Sequence, residues 1–206
     1  MNYRVQDLIK LIIPGLYLIS FLVGWFLLSP ETSIDISKIK DFTSIIVLLI
    51  PFVGFVAGYF IECFMSIIEH LFYLIGGRRP SKTILTKGMY GTYIVATKDK
   101  ILEEHHICKK ISNDDAGKIL QIAKQNIESD KVETFRLASV LARNLFGSHF
   151  YITILYAFMS VNFYKNIYFY CLLAILLIFY IYWFHHTHVY VKYVLAEYGK
   201  KLSDTE

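Results

Sequence analysis

The chain has 206 residues, of which 55% are hydrophobic on a broad count, 17% aromatic and only 18% charged, with a net charge of +4. A mean hydropathy of +0.46 and a charged fraction below the roughly 25% of soluble domains exclude an ordinary water-soluble globule. Three cysteines, Cys63, Cys108 and Cys171, are an odd number and suggest no disulfide framework.

The charges are segregated. None falls between Leu11 and Leu28, between Thr43 and Ile61, between Phe150 and Ser160, or between Asn166 and Phe184. A bilayer explains such sorting, because a helix needs about 20 apolar residues to cross the hydrocarbon. In chain order, the first predicted span runs from Leu8 to Leu28, with Pro14-Gly15 near its start. It is too long for a signal-peptide core and no small-x-small site follows, so it reads as a retained span that stops at Ser29-Pro30-Glu31. A second helix begins near Thr43, carries Pro51, and continues past bilayer length through IECFMSIIEHLFYLI to a break at Gly76-Gly77. Arg78 to about Lys131 is polar. Thr83 to Thr97 suggests a short hairpin or an irregular cap, and Asn113-Asp114-Asp115 starts a helix with an apolar stripe at Ile119, Ile122, Ala123 and Ile127. A third long helix starts near Lys131 and enters the bilayer at Gly147 to Phe150; Asn162 to Asn166 turns the chain. The last span, Tyr168 to Phe184, leads into a polar tail.

The predicted fold is therefore an all-α membrane protein. It has four transmembrane helices, two of them extended into a small, mostly α cytoplasmic domain. Residues 1–77 form the first hairpin with its helical extension, 78–148 the cytoplasmic domain, and 149–206 the second hairpin and tail. The segment from Arg78 to His149 holds thirteen Lys and Arg, against three in the two loops that would face the other side. By the positive-inside rule this puts the middle and both termini in the cytoplasm of a bacterial inner membrane.

Several residues are candidates for function. Gly54 and Gly58 form a G-x-x-x-G that lets helix backbones approach closely, within the chain or between copies of a homo-oligomer. Glu62 and Glu69 lie seven apart on one helix face, and either offers Arg143 an interfacial ion pair. Glu103-Glu104-His105-His106-Ile107-Cys108 concentrates metal-capable groups, but adjacent histidines diverge and no second paired motif completes a site, so no metal is expected. His185, His186 and His188 follow the aromatic belt of Tyr180, Tyr182 and Trp183 at the exit of the last span. No Walker loop, G-x-S-x-G, H-E-x-x-H or dinucleotide fingerprint occurs, and no cofactor is implied.

Arg143 to His149 fits R-N-x(4)-H and resembles the R-x(4–6)-H motif of HEPN ribonucleases. That likeness implies metal-independent RNA cleavage, with Arg143 and His149 as catalytic residues. GYFIECFMSIIEHLFY, RRPSKTIL and ETFRLASVLARNLFGS resemble a class of small four-pass bacterial membrane proteins found beside anti-phage systems. Among these are the membrane accessory proteins of type VI-B CRISPR loci. The resemblance implies an accessory or effector in antiviral defence whose cytoplasmic domain senses a signal and couples it to the membrane, with an oligomeric pore as output. Its partners would be the lipid bilayer and a defence nuclease, a nucleotide signal or RNA. The alternatives are a membrane-tethered HEPN-like ribonuclease, and a scaffold or transport-associated protein without a defence role.

Overall fold

The computed structural model describes residues 5–28, 43–75, 79–87, 99–107, 111–160 and 166–204. Among these the elements are helical and no strand occurs: α1 (Val5–Leu28), α2 (Thr43–Ile75), α3 (Pro80–Lys87), α4 (Asn113–Asn126), α5 (Asp130–Met159) and α6 (Ile167–Asp204), with a further helical turn at 99–104. The chain stop at 29–31, the Gly76-Gly77 break, Arg78, Cys108, Lys109-Lys110 and the turn at 162–165 lie outside the described residues.

Among the described residues, three helices are long and apolar enough to cross a membrane: α1 through Leu8–Trp25, α2 through Leu49–Leu71, and α6. α5 misses that measure despite its length. Arg143, Asn144, Ser148 and His149 interrupt its apolar run, and in the fold they point inward rather than outward. Asn144, Ser148, His149 and Thr153 are all buried.

The chain divides into two compact units, Met1–Ile68 with Val140–Trp183, and Glu69–Ser139 with Phe184–Glu206. The first unit is sorted inside out. Phe52, Phe60, Leu177, Ile178 and Ile181 are each more than half exposed, while the polar residues of α5 are hidden. Water would reverse that sorting, and hydrocarbon favours it. A small apolar cluster of Ile61, Met65, Ala142, Phe146 and Trp183 holds α2, α5 and α6 together, with the Trp183 ring stacked on Phe146 at 5.4 Å.

The second unit is sorted as a water-soluble domain is. Ile84 and Leu85 of α3, Ile101, Ala116, Ile119 and Ala123 of α4, and Tyr190, Val191, Val194, Leu195 and Tyr198 of α6 build an apolar core. α4 starts at a capping box. The Ser112 hydroxyl accepts from the Asp115 amide at 3.0 Å, and the Asp115 carboxylate accepts from the Ser112 amide at 3.1 Å. Phe135 and Tyr193 stack at 4.3 Å with the Lys131 ammonium 4.8 Å above the tyrosine ring.

Two local expectations are corrected. Residues 83–87 of the stretch expected as a hairpin or irregular cap belong to α3, because Pro80 opens a helical turn whose Ile84 and Leu85 have a core to enter, while 88–97 lie outside the described residues. The tail beyond Phe184 is not a polar appendage but the second half of α6, and its stripe at 190, 191, 194, 195 and 198 has helical spacing.

Candidate functional site: a buried polar seam on α5

The seam begins with a proline. Pro14 lies inside α1 and has no amide hydrogen, so the Lys10 carbonyl one turn earlier lacks its helical partner. In an apolar setting such a carbonyl needs another donor. Asn144 supplies it: Nδ2 donates to the Lys10 carbonyl oxygen at 3.3 Å. One turn along α5, the Ser148 hydroxyl lies 2.9 Å from the Pro14 carbonyl and 2.9 Å from the Asn144 carbonyl, two acceptors for a single hydrogen. Asn144 and Ser148 are four apart, so one face of α5 grips two successive turns of α1.

An adjacent face of α1 meets α2 at backbone distance. A Cβ on Gly15 would strike the Gly54 carbonyl oxygen, and one on Gly58 would strike the Leu11 carbonyl oxygen. Gly54 and Gly58 therefore face Gly15 and Leu11 of the same chain, which leaves that surface occupied while α1 is in place.

His149 ties a third helix to the seam. Its Nδ1 is 2.7 Å from the Tyr17 hydroxyl on α1 and its Nε2 is 3.0 Å from the Leu172 carbonyl on α6. A carbonyl only accepts, so Nε2 carries the hydrogen, and in the neutral ring Nδ1 accepts from Tyr17. Thr153 closes the seam by donating its hydroxyl hydrogen to the His149 carbonyl at 2.9 Å. The histidine is 1% exposed, and both ring nitrogens are engaged without a charge.

Arg143 turns elsewhere. Its Nη2 is 3.5 Å from Glu62 Oε1 on α2, with the two side chains 14% and 26% exposed. Glu69 belongs to the other unit, where Lys124 is an electrostatic neighbour. The arginine and the histidine, six residues apart, are rotated by about 120° around the helix, and they engage different neighbours.

The other candidates disperse. His105 Nε2 lies 3.3 Å from the Tyr198 hydroxyl, and no three His, Cys, Asp or Glu side chains converge among the described residues. His188 donates from Nδ1 to the Phe184 carbonyl at 2.9 Å, as a local helix contact, while the His185 and His186 rings sit 5.6 Å apart. An open polar groove of about 440 Å³ lies among Gln125, Asn126, Glu128, Ser129, Glu197 and Lys201, and Lys201 donates across it to the Asn126 carbonyl at 2.9 Å.

Sequence reasoning missed Asn144, Ser148, Tyr17 and Thr153. The available signal was Pro14 itself: a proline within a span leaves an orphan carbonyl, and a buried amide or hydroxyl on another span is what can meet it. No family model matches the chain, and no curated protein or solved structure matches it either.

Proposed function

We propose that the chain is a four-pass protein of the bacterial inner membrane that serves as an accessory or effector of a prokaryotic antiviral system of CRISPR type. On this reading the spans are α1, residues 43–68 of α2, residues 140–159 of α5 and residues 167–183 of α6. The second unit is cytoplasmic and receives the signal, from a defence nuclease, a nucleotide or RNA. The bundle answers by changing its packing, with an oligomeric pore as the output.

The observation that carries the proposal is helix continuity. The boundaries between the units, at 68/69, 139/140 and 183/184, all fall inside unbroken helices. α2, α5 and α6 each contribute residues to both units, so the chain itself offers a covalent route from the second unit to the bundle. The inside-out sorting of the first unit supports immersion in lipid. A 20-residue stretch of α5 is about 30 Å long, the thickness of the hydrocarbon. The seam explains why that span is the least apolar: its polar groups have partners on the surrounding helices. The basic middle supports the orientation, and the resemblance of a few short segments to anti-phage membrane proteins supports the setting.

Cells in which the defence system is triggered should lose membrane potential and take up an impermeant dye only when this protein is present. Unchanged potential in triggered cells would remove the pore. Neighbouring genes without any defence function would favour the scaffold reading. RNA cleavage by the purified protein that disappears in both Arg143→Ala and His149→Ala, at normal abundance, would install the ribonuclease instead.

A further inference from the structure

We infer that His149, with Tyr17 as its partner, is a proton-operated switch at mid-depth in the first unit, and that gaining a proton loosens α1. The inference rests on the lipid immersion of that unit and not on the antiviral setting.

An ionisable side chain midway through a bilayer is costly to keep there and marks function by default. His149 lies midway along residues 140–159 of α5, and Tyr17 midway along Leu8–Trp25 of α1. The imidazole is 1% exposed and packs beside two rings, Tyr17 at 6.0 Å and Phe179 at 5.5 Å between centroids. Its neutral form fits this setting. Nε2 donates to the Leu172 carbonyl and Nδ1 accepts from the Tyr17 hydroxyl, at 3.0 and 2.7 Å.

A third hydrogen does not fit. On the charged ring both nitrogens donate, so the Leu172 bond survives while two hydrogens compete for the line between Nδ1 and the Tyr17 oxygen. Tyr17 must turn its hydrogen away, and its hydroxyl makes no other hydrogen bond among the described residues. No carboxylate contacts the ring among those residues either. Tyr17 is the titratable group that α1 turns to it, and Asp7 and Lys10 lie about two turns or more earlier. α6 offers Phe179 and a carbonyl, and residues 167–183 carry no charge. Within residues 43–68 of α2 the charged residue is Glu62, which meets Arg143 of α5. A cation so placed needs water or a rearranged neighbour, and α1 is the neighbour whose tie is spoiled.

The chain holds two tryptophans, which report on the two neighbours separately. Trp25 of α1 meets the Tyr156 ring of α5 edge-on at 5.3 Å, and Trp183 of α6 stacks on Phe146 at 5.4 Å. Full-length Trp183→Phe protein in phosphatidylcholine liposomes should show a red shift of Trp25 emission as the pH falls from about 8 to about 5, a range that brackets the ordinary imidazole value. Adding His149→Gln should abolish the shift, because glutamine can donate to Leu172 and accept from Tyr17 but cannot gain the proton. Trp25→Phe protein, read through Trp183, should keep its emission. Nitrogen NMR of the wild-type histidine rings in the same liposomes follows the proton itself, whether or not the glutamine variant folds. His149 should pass from one protonated nitrogen to two. A ring that stays neutral, a Trp25 emission that does not move, or a shift that persists in His149→Gln overturns the switch. Protein that stays in plain buffer rather than entering liposomes would remove the immersion, and the switch with it. Triggered dye uptake tests the effector reading on its own.

Discussion

Lys10 contributes its backbone carbonyl to the polar seam on α5. Its carbonyl is orphaned by Pro14 and met by Asn144, which makes Pro14 and Asn144 thermodynamically coupled although they lie far apart in the chain. Asn144→Ala should cost about 1 kcal/mol in the wild-type background and close to nothing in the Pro14→Ala background, where an amide is available. Detergent unfolding of the four proteins of that cycle measures the difference, and additive costs would refute the coupling. Arg143 and Glu62 form a second pair, sheltered but not sealed. Arg143→Ala strands a carboxylate and should destabilise by about 1–3 kcal/mol, whereas Arg143→Met with Glu62→Leu should recover most of the loss. At Gly58 there is no room for any side chain. Gly58→Val should lower stability by about 1–3 kcal/mol or more through overpacking, and a detergent melting point equal to that of the wild type would refute the crossing.

At the scale of the element, composition reflects what surrounds a helix. α1, α2 and α6 expose large apolar side chains, and their sequences are oily enough to announce themselves. α5 is enclosed by them, so its polar residues are tolerated and its hydropathy is diluted. α4 obeys water instead. The Ser112 hydroxyl, and after it the Ser112 amide, hold the Asp115 carboxyl below the ordinary carboxylate range. A carboxyl lowered by folding stabilises above its unfolded value of about 4 and loses that contribution as the pH falls through the lowered one. The start of α4 should therefore fray on acidification, read from the amide shifts of residues 113–116, and Asp115→Asn should abolish that pH dependence. Fraying that proceeds unchanged in Asp115→Asn would separate the acid response from the capping box.

For the whole molecule, the two units are sorted by opposite solvents within one chain. The proposed topology makes a sharp distinction between positions 118 and 168. With Cys63, Cys108 and Cys171 replaced by Ser, an impermeant thiol reagent applied to intact spheroplasts should label Tyr168→Cys and spare Lys118→Cys. The reverse pattern would invert the protein in the membrane. Labelling of both would dismiss the four-pass arrangement.

The segregation of charge from oily stretches was readable without coordinates, because burial in lipid acts on each residue separately and leaves its mark in local composition. So were the long helix containing Glu62, the start of α4, and the small residues at Gly54 and Gly58. The helical second half of α6 was readable in principle from the spacing of Val191, Val194, Leu195 and Tyr198, but the surrounding lysines and tyrosines disguised it. What the chain order could not express was the choice of neighbours. That Gly58 faces Leu11, that Asn144 answers Pro14, and that Glu62 meets Arg143 are matters of which helix stands beside which. Periodicity records the face a residue occupies on its own helix, whereas contacts across a bundle join positions far apart in the chain, and only the tertiary structure decides them.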